Sequence, residues 1–176
     1  MIKIEEEMTL LNIFVTRRSI RKYTDQAVSA SQLEELLRAA MSAPTGKNAR
    51  PWQFVVIQKR EVLDGIPAFA PNTAPLKGAA AAIVVCGDLS LDLIPGLWVQ
   101  DCTAATENLL LAAHAIGLGA VWLNVYPNEE RVEKMRAYLE MPEHITPLCV
   151  VALGYPDEEK ELSDRYDPER VHYDHW

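Results

Sequence analysis

Hydrophobic residues recur at intervals of three and four positions in three long segments of the chain, which predicts three helices. The first follows Ser29, which can cap its N-terminus with Gln32 as the capping-box partner, and Pro44 ends it. The second covers 98–116, where small residues permit close packing. The third opens at Asn128 and carries two glutamates in its first turn, as a helix N-terminus favours.

Shorter apolar runs rich in β-branched residues are typical of strands. They cover 53–57, 80–86, 120–125 and 146–153. The run at 80–86 is apolar at every position, so we expect a sheet that helices cover on both faces. A short helix is expected near 61–66 and an irregular segment over 67–75.

The last twenty residues, 157–176, show neither the helical nor the strand spacing of hydrophobic residues and are highly charged. They nevertheless contain Tyr166, Val171, Tyr173 and Trp176. A tail with this many large apolar residues is expected to pack on something, and in a chain of 176 residues a second subunit is the natural candidate.

Composition indicates one globular domain with a large core, since 49% of the residues are hydrophobic. Cys86, Cys102 and Cys149 are widely spaced, and two stand in apolar runs, so we expect free buried thiols and neither a disulfide nor a metal site. Residues 1–7 have no apolar segment after a basic start, which argues against a secretory signal. The expected location is cytoplasmic.

Charge is distributed unevenly along the chain. The formal net charge is −8, yet four of the 17 lysines and arginines fall within residues 17–22. Guanidinium groups bind phosphate oxygens in pairs, and Ser19 adds a hydroxyl, so this run is a candidate anion site. A solvated basic helix end would give the same run. A nucleic-acid-binding surface would need an excess of basic residues over the whole domain, and the pI of about 5.0 argues against that.

Familiar phosphate-binding and metal-binding motifs are missing from the chain. The run 117–122 joins a predicted helix to a strand, the reverse of a dinucleotide-binding turn, and has Trp122 where the third glycine would stand. No Walker loop occurs. His172 and His175 have metal-ligand spacing but no clear third ligand, so we expect no metal.

Four motifs in order resemble the nitroreductase family of flavoproteins. They are Arg17-Arg18-Ser19-Ile20-Arg21-Lys22-Tyr23, the loop 43–54 with Pro44-Thr45-Gly46-Lys47-Asn48, the run 117–123, and Gly154-Tyr155-Pro156 before Arg165. The resemblance implies an α+β fold, an α/β sandwich whose central mixed sheet is flanked by helices, in an intertwined homodimer. Residues 1–176 would form a single FMN-binding domain, and 155–176 would be a C-terminal extension that packs on the partner subunit.

The resemblance also implies roles for particular residues. Arg17, Arg18, Ser19 and Arg21 match the motif that holds the phosphate, ribityl chain and pyrimidine edge of FMN, and Arg165 completes the phosphate site. Pro44, Thr45, Gly46 and Asn48 match a loop that reaches the same flavin from the other subunit. Leu123 and Asn124 lie where backbone approaches flavin N5, and Asn72 matches a further polar contact. Lys47 and Asn124 depart from the smaller residues that many members have.

These expectations lead to an FMN-dependent oxidoreductase that passes hydride from NADH or NADPH to nitroaromatic, quinone or similar small-molecule acceptors. FMN carries the redox chemistry, so no catalytic side chain is assigned, and Arg21 is the candidate for a cation near N1 that eases reduction. Alternatives are a flavin carrier or sensor without turnover, and a specialised dehalogenase or benzimidazole synthase on the same fold. Neither a nucleic-acid nor a membrane partner is expected.

Overall fold

The computed structural model describes residues 10–176, and the segment used above to judge a secretory signal, 1–7, lies outside them. Its helices are α1 (Leu10–Thr16), α2 (Ala30–Met41), α3 (Arg60–Gly65), α4 (Leu97–Ala115) and α5 (Glu129–Tyr138). Its strands are β1 (Trp52–Ile57), β2 (Ala81–Asp88), β3 (Gly119–Asn124) and β4 (Ile145–Gly154).

The helices and strands predicted from 29 onward are all present, with ends that differ by one or two residues. Ser29 caps α2, and its side chain and that of Gln32 form the expected capping box. The segment 67–75 contains two short 3₁₀ helices, Ile66–Ala68 and Pro71–Lys77. Helix α1, which the structure describes from Leu10, was not predicted from the sequence.

The four strands form one sheet in the order β1-β2-β4-β3, and every neighbouring pair is antiparallel. The expected mixed sheet is thus an antiparallel one, and among residues 10–176 the parallel pairing is limited to an isolated bridge between Ser19 and Ala120. The α+β fold class is confirmed.

Helices cover the sheet on both faces, as the apolar run in β2 predicted. Ile83 and Val85 point into one core layer with α2 and α4, while Ala82 and Val84 point into a second layer with α3 and α5. The residues on the two faces therefore alternate along one strand that is buried throughout.

The three cysteines are free and buried, as expected. Burial raises the pKa of Cys86 and that of Cys102 to about 12, so neither forms a thiolate near neutrality. Among the described helices, none is both long and apolar enough to cross a membrane.

Candidate functional site

The arginine-rich run leaves the C-terminus of α1 and crosses one end of the sheet. The backbone N–H of Ile20 donates to the Ala120 carbonyl at 3.0 Å, and that of Thr24 donates to the Tyr155 carbonyl at 2.9 Å. Tyr23 forms an antiparallel bridge with Pro156. The run is thereby fixed against the start of β3 and the end of β4, and we call this region, residues 16–23 with 154–166, the arginine end.

Two glycines form the surface on which this run lies. Gly119 of β3 and Gly154 of β4 are register partners. A Cβ on Gly119 would lie 2.7 Å from Ile20 Cγ2, and a Cβ on Gly154 would lie 2.9 Å from Tyr23 Cβ. Both glycines had been noted in the sequence as parts of motifs, but the sequence did not reveal that they let the run approach the sheet backbone.

Arg18 joins the C-terminal tail to the end of α1. Its Nε donates to the Glu161 carbonyl at 2.9 Å, and its Nη1 donates to the carbonyls of Val15 at 3.0 Å and Arg17 at 2.7 Å. The remaining nitrogen, Nη2, is buried and has no acceptor among residues 10–176. A buried guanidinium nitrogen without a partner is costly, and an anion would satisfy it.

Arg17 and Arg21 are held less tightly than Arg18. Arg17 Nε lies 3.7 Å from Glu107 Oε1 of α4, a long contact between partly exposed groups. The backbone N–H of Arg21 donates to Glu158 Oε1 at 2.6 Å, while its guanidinium reaches only the Ser19 carbonyl, at 3.4 Å. The hydrogen bond from Lys160 lowers the pKa of the Glu158 carboxyl, which therefore stays ionised.

The tail brings Arg165 to the other predicted anion ligands. The charged residues that line a cleft of about 240 Å³ are Arg17, Arg18 and Arg165, with one carboxylate, Asp164. A neighbouring, wider cleft is lined by four cationic side chains and one carboxylate, together with two serines: Arg18, Arg21, Lys160, Arg165, Glu161, Ser19 and Ser163. Excess positive charge, serine hydroxyls and an unsatisfied buried donor fit the phosphate of a cofactor such as FMN.

The second predicted element, the loop 44–50, is shaped by its backbone. Lys47, Asn48 and Arg50 all have left-handed φ angles, of 51°, 56° and 51°. Arg50 donates from its N–H to Thr45 Oγ1 and from its Nε to Asn48 Oδ1, at 3.1 and 2.8 Å. Three such residues in one short loop cost conformational energy, which is typical of functional loops.

Helix α4 holds this loop through its first turns. The Gly46 N–H donates to Asp101 Oδ1 at 2.9 Å, and Asp101 is buried. A Cβ on Gly46 would lie 2.2 Å from Leu97 Cδ2, so only glycine fits without moving Leu97. Sequence reasoning missed Asp101, because polar residues such as Gln100 and Glu107 also occur in this segment and the sequence does not show which of them is buried. The loop 44–50 with the start of α4 is called the loop end.

The arginine end and the loop end lie toward opposite ends of the strands. Strand β1 begins at Trp52, just after the loop, where it pairs with Gly87 of β2, and Gly87 pairs with Thr146 near the start of β4. The arginine end lies at the other terminus of β4. Ten extended residues span about 30 Å. The loop and the arginine run of one chain therefore lie toward opposite ends of β4.

The remaining predicted residues lie between these ends, along β3. Leu123 is buried, and Asn124 is the exposed last residue of the strand. Asn72 Nδ2 donates to the Asn124 carbonyl at 2.9 Å. Both residues were expected near the flavin, but a contact between them was not predicted. From Ala120, where the arginine run bridges β3, four residues lead to Asn124, a distance of about 13 Å.

Comparisons with known proteins agree with this architecture. Residues 15–92 and 97–155 match the model of the nitroreductase family. A Methanothermobacter thermautotrophicus protein, provisionally named NADH dehydrogenase/NAD(P)H nitroreductase, is 49% identical over 170 residues, which cover 97% of this chain and 89% of that protein.

Solved structures have the same fold. One from Parabacteroides distasonis, with the same provisional name, has a TM-score of 0.92 at 40% identity and covers 97% of this chain and 100% of that one. Another, from Desulfovibrio desulfuricans, is provisionally described as a nitroreductase in complex with FMN. It has a TM-score of 0.84 at 31% identity and covers 97% and 99% of the two chains.

Proposed function

The chain belongs to the nitroreductase family, and from that premise we propose that it is an FMN-dependent enzyme that transfers hydride from NADH or NADPH to nitroaromatic, quinone or similar acceptors. The observation that carries this proposal is the convergence of Arg17, Arg18, Ser19, Arg21 and Arg165 on two adjoining clefts. Four of these residues are close in the sequence, but Arg165 is brought to them only by the fold.

Each of these residues has a place in the proposed site. Arg17, Ser19 and Arg165 would bind the phosphate, with Arg18 Nη2 as a further donor, because these groups line the clefts. Arg21 would lie at the pyrimidine edge, where its exposed guanidinium is free to supply positive charge. Bound FMN supplies the hydride transfer itself, so no side chain of this protein is assigned as a general acid or base.

The site is proposed to lie between two copies of the chain. Pro44, Thr45, Gly46 and Asn48 would then reach the flavin of the partner subunit, since in a single chain the loop precedes β1 near the start of β4, whereas the arginine run lies at the end of β4. A twofold-symmetric pair would contain two such sites.

The C-terminal extension supports the same assembly. The side chains of Leu162, Tyr166 and Tyr173 are 56%, 73% and 82% exposed, and Trp176 is fully exposed. Large apolar groups in such numbers mark an interaction surface. We therefore propose that 155–176 packs on the partner subunit within one domain of residues 1–176. The cytoplasmic location remains a prediction.

The test begins with the purified protein, which is expected to be yellow and to bleach on anaerobic addition of NADH or NADPH. Stopped-flow reduction with each nucleotide in turn identifies the preferred donor. Turnover with nitrofurazone and menadione then separates a reductase from a flavin carrier. A colourless protein that takes up no added FMN would refute the proposal.

A further inference from the structure

A hydrogen bond from α4 holds the C-terminus of α1 at the residue that precedes the two arginines. Thr16 Oγ1 lies 2.6 Å from the Asn12 carbonyl oxygen and 2.7 Å from His114 Nε2. A hydroxyl has one hydrogen, and the Asn12 carbonyl can only accept, so Thr16 donates to Asn12. Toward His114 the hydroxyl must therefore accept, which places the hydrogen of the imidazole on Nε2.

The surroundings of His114 keep the imidazole neutral near neutrality. Burial, Arg17 and Arg18 all lower the pKa of His114. His114 lines a cavity of about 380 Å³ with both arginines and with charged groups of the tail, Glu158, Glu159 and Lys160. Glu107, two turns earlier on α4, faces Arg17. This face of α4 thus presents the neutral imidazole of His114 to Thr16 and the carboxylate of Glu107 to Arg17. Neither group repels the arginines.

Helix α1 depends on such contacts for its position. Within its described residues, Leu11 and Phe14 are 74% and 61% exposed, so little apolar burial holds this part of the helix in place. Arg17 directly follows Thr16, so any movement of the α1 terminus moves the guanidinium that lines the anion cleft. The placement of the arginines is therefore linked to α4 through His114 and Thr16.

We propose that His114, acting through Thr16, is a positioning residue that aligns Arg17 and Arg18 for the phosphate of the flavin. This inference rests on the proposed function, because it assigns FMN to the arginine end. It predicts that His114 affects the binding of a phosphorylated flavin and leaves that of its dephosphorylated analogue unchanged.

The experiment compares FMN with riboflavin in fluorescence titrations of the full-length apoprotein. His114→Leu and Thr16→Val each remove the hydrogen bond, whereas His114→Gln retains a donor and Thr16→Ser retains the hydroxyl. Loss of one hydrogen bond is expected to weaken FMN binding by about 5- to 10-fold, with riboflavin binding changed less than about twofold. The two conservative variants should stay close to wild type. The double variant should lose no more than the worse single variant.

Several outcomes separate this role from a structural one. Equal losses for FMN and riboflavin, or a His114→Gln variant as weak as His114→Leu, would overturn the inference while the proposed function stands. Normal FMN affinity in both His114→Leu and Thr16→Val would do the same. Thr16→Val removes the same hydrogen bond by changing its α1 partner, so it tests the proposal even if His114→Leu fails to fold. A wild-type protein that binds neither flavin would overturn both proposals.

Discussion

The arginine end and the loop end of the sheet are built on different physical principles. At the arginine end, backbone hydrogen bonds fix the run to the sheet, and side chains connect it to its surroundings: Arg18 bonds to three carbonyls, Arg17 faces Glu107, and His114 donates to Thr16. At the loop end, the backbone conformation is the main feature: three non-glycine residues take left-handed angles, and the Gly46 N–H meets a buried carboxylate.

Substitutions at the arginine end therefore test the role of charge, and substitutions at the loop end test the role of the backbone path. Truncating an exposed or half-exposed cation at the arginine end leaves the packing intact and removes attraction for an anion. Adding volume at the loop end changes the backbone path and displaces whatever the loop touches. Each end can thus be disabled on its own, which makes their proposed meeting across two subunits testable.

The largest expected effect comes from mixing two disabled chains. Arg17→Glu/Arg165→Glu removes the arginine half of the site, and Gly46→Phe displaces the loop half, so each variant alone should bind no FMN. After the two are unfolded and refolded together, random pairing gives heterodimers with one intact site each, and about a quarter of the wild-type flavin should bind.

Flavin content per chain measures this recovery, with each variant refolded alone as the control. No recovery in a mixture that forms heterodimers would show that the two ends do not share a site. A wild-type protein that stays monomeric would contradict the proposed dimer.

The next largest effect is expected for Arg17→Ala, which should weaken FMN binding by about 1.5–3 kcal/mol, the scale of a charge-assisted contact. The free energy of unfolding should change little, because the Arg17–Glu107 contact is long and partly exposed. Calorimetric titration and denaturant unfolding measure the two quantities. Lys59→Ala, an exposed lysine outside the cleft, is the matched control, and an unchanged FMN affinity would remove Arg17 from the site.

The sequence predicted the arginine end better than the loop end for a physical reason. Cations and a serine in one run indicate a candidate anion site through their chemistry, whereas Arg165 was assigned to it through the family resemblance. The left-handed angles at Lys47 and Arg50 leave no such trace, since neither residue type favours that conformation.

The remaining omissions concern contacts between segments distant in the chain. The pairing of His114 with Thr16 bridges 98 positions, a separation that no local pattern reveals. Strands and long helices were predictable because their periods are local. The antiparallel order of the sheet, and the separation of the two ends that follows from it, depends on how the strands pair.

Shape also matters at the arginine end, where Gly154→Ala tests it. The new methyl group would meet Tyr23 close to its backbone, where rotation of the side chain gives no relief, and overpacking should cost about 1–3 kcal/mol of unfolding free energy. Gly78→Ala is the control, because its Cβ would contact nothing within 4 Å. Equal stabilities of the two variants would show that the arginine run is free to move away from the sheet.

At the loop end, Asp101→Ala removes the acceptor of the Gly46 N–H. The expected cost is about 1–2 kcal/mol of unfolding free energy, because a backbone donor loses its partner. FMN affinity should fall with stability, in contrast to Arg17→Ala, since the loop itself is released. Asp101→Asn retains an acceptor oxygen and should recover part of both losses. Full flavin affinity in a destabilised Asp101→Ala protein would separate this carboxylate from the site.

The smallest effect is a pH dependence that only the arginine end should show. The pKa of His114 lies below 6.5 in the folded protein, so the unfolded chain binds the proton more readily, and the stabilisation present above pH 6.5 is lost as the pH falls through the lowered pKa. Apoprotein stability should therefore fall more steeply from pH 7.5 to 5.5 than in His114→Gln, by a few tenths of a kcal/mol, since the ring is partly exposed. Glu107, Glu158, Glu159 and Lys160, the other charged groups near this imidazole besides the arginines, are present in both proteins, so the difference isolates His114. Saturating FMN should reduce this difference, because its phosphate offsets the charge of Arg17 and Arg18. Identical slopes with and without FMN would mean that the phosphate lies away from this imidazole.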